Sequence, residues 1–257
     1  MRPVTLITGA SAGIGTALAH EFARHGHELL LIARREQRLA ELADAIAAQG
    51  HKRPLMLPVD LAAPDAVGRI TDALAKLDIE PETVVNNAGF GLVGAAAKLD
   101  LAEQLAMIDL NVRVLTDLSL VFVGTLQRHR GGILNVASVA AFLPGPGMAI
   151  YYASKAYVLS FSEALHRELK PRGVRVTVLC PGPVPTEFQA RVGVRNERYQ
   201  PLLTQTAEQV AQAGYRGLMA GRRLVVPGIG NKLITFLLRA APRGLAAAGV
   251  EARQRLR

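Results

Sequence analysis

Short, continuously apolar runs alternate along this chain with longer stretches in which apolar positions recur every three or four residues. A run that is apolar on both sides of the backbone suits a strand buried on both faces, and helical stretches between such runs are the connections that parallel strands need. The pattern predicts strands at residues 4–8, 28–33, 54–58, 83–86, 132–137, 175–179 and 223–226, and helices at 14–25, 36–49, 64–76, 101–128, 151–170 and 208–220. Local signals support these limits. Pro64 suits a first helical turn, Gly26 and Gly50 suit left-handed positions after a helix, and Pro171 with Gly173 ends the helix begun at Tyr151. The expectation is a single α/β domain over residues 1–257, a doubly wound parallel sheet of about seven strands with helices on both faces.

Two segments leave this alternation. Residues 181–205 form a long insertion rich in Pro, Gly and charge, which reads as a lid over a site. The C-terminal extension, about residues 228–257, is basic and amphipathic. Within it, residues 231–241 read as a helix with Leu233, Ile234, Phe236, Leu237 and Leu238 on its apolar side. The preferred reading packs that side onto the domain or a partner subunit; peripheral contact with a membrane surface or a phosphate is the second.

Composition narrows the classes. No stretch nears the ~20 apolar residues of a membrane span, and strand-like sequence starts at Val4, so the chain reads as soluble and cytoplasmic. Cys180, the one cysteine, ends an apolar run and reads as a buried small residue rather than a nucleophile. Residues 191–257 hold twelve Lys and Arg against three Asp and Glu, so they carry the whole net charge of +9. Without a nucleic-acid motif or interleaved aromatics, that charge does not predict a nucleic-acid partner. No metal site is expected.

The turn at residues 8–15 places Gly9, Ser11, Gly13, Ile14 and Gly15 between a strand and a helix. There glycines permit a tight turn and let backbone approach a pyrophosphate at the helix N-terminus, as in a Rossmann-type dinucleotide unit. At the end of the second strand, where a carboxylate would bind the ribose 2′-hydroxyl of NAD, the chain has Arg34 and Arg35. An arginine can neutralise a 2′-phosphate, so NADP(H) is expected over NAD(H), with Arg34 the first choice and Arg35 the second.

Thirteen residues after Ser138, Tyr151 and Lys155 stand one helical turn apart. A nearby ammonium lowers a phenol's pKa toward the range of a useful proton donor. Tyr152 also lies within reach of Lys155, and spacing alone does not choose between the tyrosines.

Taken together these residues resemble the short-chain dehydrogenase/reductase family, in its branch of about 250 residues. The family's pieces occur in order over nearly the whole chain: the glycine turn, Asp60-Leu61, Asn86-Asn87-Ala88-Gly89, Asn111, Ser138, Tyr151 to Lys155, and Pro181-Gly182-Pro183-Val184-Pro185-Thr186. The resemblance implies a tetrad of Asn111, Ser138, Tyr151 and Lys155, and selects Tyr151 over Tyr152. It puts Asp60 and Leu61 beside the adenine, Asn87, Ala88 and Gly89 beneath the cofactor, Tyr151 and Lys155 on it, and Val184 and Thr186, with Pro181 and Gly182 of the same motif, by the nicotinamide. It also implies a homodimer or homotetramer built on the helices from Leu101 and Tyr151. The implied activity is NADPH-dependent interconversion of a ketone or aldehyde and an alcohol, on a lipophilic small molecule if Leu92, Val93, Phe142, Leu143, Met148, Phe188 and Val192 line the site. In it, Ser138 polarises the carbonyl oxygen, Tyr151 protonates it, Lys155 holds the ribose and Asn111 positions a water. A 3-ketoacyl thioester is the alternative substrate, and a non-catalytic NADPH sensor the alternative of another class.

Overall fold

The computed structural model describes residues 1–188 and 202–240, with Gly244 and Val250 beside them. Seven parallel strands form one sheet in the order β3-β2-β1-β4-β5-β6-β7: β1 (Arg2–Thr8), β2 (Leu29–Ala33), β3 (Leu55–Pro58), β4 (Ile79–Asn86), β5 (Gly132–Val136), β6 (Arg175–Leu179) and β7 (Leu224–Val225). Side chains alternate between the faces of a strand, and the core divides accordingly. Ile7, Leu29 and Leu31 point into one cluster with Leu18 and Phe22 of α1 (Gly13–Arg24) and Ile46 of α2 (Glu36–Ala48). Val4, Leu6, Leu30 and Ile32 point into the other, with Ile70 of α3 (Ala66–Lys76) and Leu165 of the long helix over Ala149–Leu169. Continuous apolar runs are thus explained by burial on both sides. Gly26 (φ 81°) and Gly50 (φ 83°) take the left-handed positions expected of them, and Gly173 (φ 77°), past the helix end, is left-handed as well.

Three extents differ from the sequence pattern. β4 begins at Ile79, not 83, because Arg2 to Val4 pair with Ile79 to Pro81 and the register shifts between Val4 and Thr5. Pro64 lies before α3, which starts at Ala66. The helix expected unbroken over 101–128 is divided into α4 (Leu101–Ile108), a π-helical segment (Asp109–Val114), α5 (Leu115–Val121) and α6 (Val123–Arg128). After these come α7 (Ala149–Leu169), α8 (Ala207–Met219) and α9 (Ile229–Ala240). Of the expected lid, residues 189–201 lie outside the described residues. Among the described residues no helix is long and apolar enough to cross a membrane.

The strand order reverses at β1, whose neighbours are β2 and β4. Ligands of open α/β sheets bind beyond the carboxyl ends of the strands at such a point.

Candidate active site

Every part of the site lies at those carboxyl ends. Thr8 ends β1, and its hydroxyl accepts from the Asn87 and Ala88 backbone N–H groups at 3.0 and 3.1 Å while donating to the Val85 carbonyl at 3.3 Å. Asn87 Nδ2 answers by donating to the carbonyls of Thr8 (3.0 Å) and Gly9 (3.2 Å). Two motifs far apart in sequence are so locked together. Gly9 is left-handed (φ 65°), and a Cβ on it would stand 2.8 Å from Ala88 Cα. A Cβ on Gly13 (φ 57°) would stand 2.9 Å from Thr186 Cγ2, which brings the 181–186 motif against the glycine turn. Ala12 precedes α1 without a side-chain cap, so its own side chain takes up none of the first-turn N–H groups. That end of α1 is suited to an anion.

Arg35, at the N-terminus of α2, donates to Ser11 Oγ (3.2 Å) and to the Ser11 carbonyl (3.2 Å), and its Nη1 meets Glu187 Oε2 at 2.8 Å. Arg34 is exposed and holds no hydrogen bond or ion pair among the described residues. Of the two arginines, the structure gathers Arg35 to the glycine turn. Asp60 is exposed and accepts from the Ala62 N–H at 3.1 Å, and Leu61 is buried next to it. Val184 is buried, and Gly182 leaves room for the Asn231 amide, which ties α9 to this motif.

The four residues of the expected tetrad come together, Asn111 and Lys155 buried and Ser138 and Tyr151 half-buried. Tyr151 is hydrogen-bonded to Ser138, while the Tyr152 ring packs on Gly145. Lys155 Nζ donates to the Val136 carbonyl at 2.9 Å and lies 5.9 Å from the centre of the Tyr151 ring. Asn111 sits in the π-helical segment, a type of turn that often marks a functional position. Its amide clamps the Phe90 backbone in both directions, accepting from N–H at 3.1 Å and donating to the carbonyl at 3.0 Å. It also donates to Ser154 Oγ at 3.1 Å. Both Nδ2 hydrogens and one lone pair of Oδ1 of Asn111 are thus engaged within the protein.

Electrostatics depart from the expectation for the pair. Burial pushes the Tyr151 phenol up to about 12, with the Ser138 hydrogen bond acting in the opposite direction. Burial pushes the Lys155 ammonium down to about 8. The reason is geometric: both groups are buried, and Lys155 donates to a carbonyl instead of to the phenol.

A narrow hollow beside Tyr151 is lined by Leu92, Leu99, Met107, Met148 and Ile150, with Gln104 the polar member. Phe188 packs on Tyr151, ring centres 5.4 Å apart. Of the residues expected at the mouth of the site, Leu92, Met148 and Phe188 are thus placed, Val93 is exposed, and Val192 lies outside the described residues.

The short chain dehydrogenase family model matches residues 3–197. The chain belongs to the short-chain dehydrogenase/reductase family. These oxidoreductases interconvert alcohol and carbonyl groups. This family member is 39% identical over 191 residues to sulfoacetaldehyde reductase 2 of Chromohalobacter salexigens, covering 73% of this chain and 75% of that one. It superposes with a TM-score of 0.82 on the short-chain dehydrogenase from Sphingobium yanoikuyae in complex with NADPH, at 31% identity over 95% of this chain and 94% of the other. A Burkholderia phymatum short-chain dehydrogenase/reductase in complex with NAD superposes at 0.78, with 26% identity over 93% and 92% of the two chains. Both nicotinamide cofactors therefore occur among its structural neighbours.

Sequence reasoning missed three members of the site in this short-chain dehydrogenase/reductase. Glu187 comes to Arg35 from 152 residues away, and its one sequence signal is its place next to Thr186. Ser154 and Phe90, which fix Asn111, carried no signal of their own.

Proposed function

We propose that this chain is an NADP(H)-dependent oxidoreductase that interconverts a ketone or aldehyde and an alcohol on a largely apolar small molecule. The observation that carries this reading is the half-buried Tyr151–Ser138 hydroxyl pair beside buried Lys155, in a fold whose glycine turn opens an uncapped helix. The residues present fit a dinucleotide: the turn has no room for side chains at Gly9 and Gly13, and Arg35 stands where a 2′-phosphate would need a cation. Gly9, Ser11, Gly13, Ile14, Gly15, Arg35, Asp60, Leu61, Asn87, Ala88, Gly89, Lys155 and the 181–186 motif would hold it. When bound there, the nicotinamide supplies the hydride for reduction or takes it up for oxidation.

The protein's own part is to hold an oxygen and move a proton. Ser138 and Tyr151 present two hydroxyls to the carbonyl oxygen, and Tyr151 hands over its proton as that oxygen gains negative charge. Ser138 then steadies the phenolate. The Lys155 ammonium, 5.9 Å from the centre of the Tyr151 ring, offsets the same negative charge where burial weakens screening. Asn111 positions the 90–91 turn and, through Ser154, the helix that carries Tyr151. Leu92, Met148 and Phe188 favour an apolar substrate body.

Lys155, lowered by burial, loses its charge as pH rises through about 8, whereas Tyr151 at about 12 keeps its proton there. The kcat/KM for carbonyl reduction is therefore expected to fall above about pH 8. A profile flat from about pH 6 to about pH 10 would contradict the role given to the ammonium.

Cofactor choice rests on Arg35. Charge-assisted hydrogen bonds are worth roughly 1.5–3 kcal/mol, so Arg35→Ala is expected to weaken NADPH about tenfold or more and NADH far less. Glu187→Gln should move NADPH affinity the other way, since its carboxylate competes for the same guanidinium. Arg34→Asp should do less than Arg35→Ala. Calorimetric titration of both cofactors checks all three; equal losses for NADPH and NADH would refute the assignment. Exposed Leu101, Leu105, Leu120, Val121 and Tyr157 on α4, α5 and α7 support assembly of two or more copies through these helices.

A further inference from the structure

The helix α9 is docked the wrong way round for its sequence. Its buried residues are polar: Asn231 is 3% exposed and donates to the carbonyls of Leu203 and Pro227, each at 3.0 Å, and Thr235 is 5% exposed and donates to the Asn231 carbonyl at 2.8 Å. Its outward face is apolar. Ile229 (84% exposed), Leu233, Phe236 (73% exposed) and Leu237 follow one another at the spacing of a single helical stripe. The expected packing of this stripe onto the domain is therefore corrected: two buried polar side chains with good partners fix the helix, and the apolar stripe faces outward.

Beside this stripe lies a cavity of about 370 Å³ between α8, β7 and the start of α9. Three cations line it, Arg216, Arg222 and Lys232, together with Gln205 and apolar Val226. No acidic side chain lines it, and none of the three cations holds an ion pair among the described residues. Lys232 joins the two features, because it precedes Leu233 and stands one turn before Phe236 on α9. These cations belong to the quarter of the chain that carries its entire positive surplus.

We propose that α9 and this cavity form a docking surface for an anionic phospholipid bilayer, with the stripe entering the interface and the cavity receiving a headgroup phosphate. An apolar stripe bordered by unpaired cations is the pattern of helices that lie in a membrane interface. Charge decides between occupants. A second copy of this chain would set cationic cavities near one another, whereas an anionic leaflet attracts them, at about 1 kcal/mol for each basic residue at the surface.

The test is flotation of the full chain with vesicles of phosphatidylcholine alone and of phosphatidylcholine with phosphatidylglycerol. Binding is expected to the anionic vesicles only and to weaken with salt. Phe236→Glu should abolish it. The triple variant Arg216→Gln, Arg222→Gln, Lys232→Gln should reduce it by about two orders of magnitude, at roughly fivefold per charge. Unchanged circular dichroism and NADPH affinity would show that both variants fold. Three results would overturn the proposal. The full chain could fail to bind anionic vesicles, the triple variant could bind as well as the parent, or Phe236→Glu could dissociate a dimer that does not bind vesicles, which would give the face to a second copy.

Discussion

Replacing Tyr151 by Phe is expected to lower carbonyl reduction by about three orders of magnitude while leaving NADPH affinity within about threefold of the parent. Proton donation by a positioned side chain contributes roughly 10²–10⁴ in rate, and Tyr151 is the phenol that meets Ser138 beside Lys155. The substitution removes only the hydroxyl. The phenyl ring still packs against Phe188 and edge-on to Tyr152, so neither a cavity nor an unpaired backbone group results. Steady-state kinetics with an accepted ketone, alongside calorimetry with NADPH, measures both quantities on one sample. Tyr152→Phe, whose ring lies on Gly145, should change turnover by no more than about twofold. A Tyr151→Phe enzyme that kept about a tenth of its turnover would remove this residue from the chemistry.

The second large effect belongs to Gly15→Ala. A methyl group on Gly15 would overlap the Gly9 carbonyl oxygen and press on the Asn87 amide. Neither can move freely: that carbonyl accepts from Asn87 Nδ2, which also donates to Thr8. The glycine turn must open, and with it the path by which backbone approaches a pyrophosphate. NADPH affinity is expected to fall by about a hundredfold or more, and overpacking to cost about 1–3 kcal/mol of stability. Gly26→Ala separates the two effects. There a Cβ meets open space but the left-handed backbone (φ 81°) costs about 1–2 kcal/mol, so stability should drop while cofactor affinity stays unchanged. Urea unfolding and calorimetry on both variants decide the matter.

Where structure follows from local chemistry, the sequence was enough. The β1–α1–β2 unit and its glycine turn were legible because a strand buried on both faces must be continuously apolar and a tight left-handed turn must be glycine. The positions of Ser138, Tyr151 and Lys155 follow from one strand end and one helix. Distant partners were not legible. The apolar period runs unbroken through Asn111, so the π-helical widening at that residue is visible only once the Phe90 backbone is beside it. Arg34 and Arg35 are adjacent and chemically equal; the extended backbone at Arg35, just before α2, aims its side chain at Ser11. The stripe on α9 suggested packing onto the domain or a partner subunit, and only the partners of Asn231 and Thr235 reveal which side is anchored to the domain. The one-turn spacing of Tyr151 and Lys155 was legible, but the burial that raises the phenol and lowers the ammonium was not, because spacing on a helix says nothing of burial.

The most direct test of the proposed chemistry is titration of NADPH and NADH into the full chain, followed on the same sample by loss of the nicotinamide absorbance on adding ketones and aldehydes. Saturable binding with NADPH tighter than NADH, and carbonyl-dependent oxidation of the bound NADPH, is the predicted result. Binding of neither cofactor, or tight binding with no oxidation by any carbonyl across a panel that includes 3-ketoacyl thioesters, would contradict it.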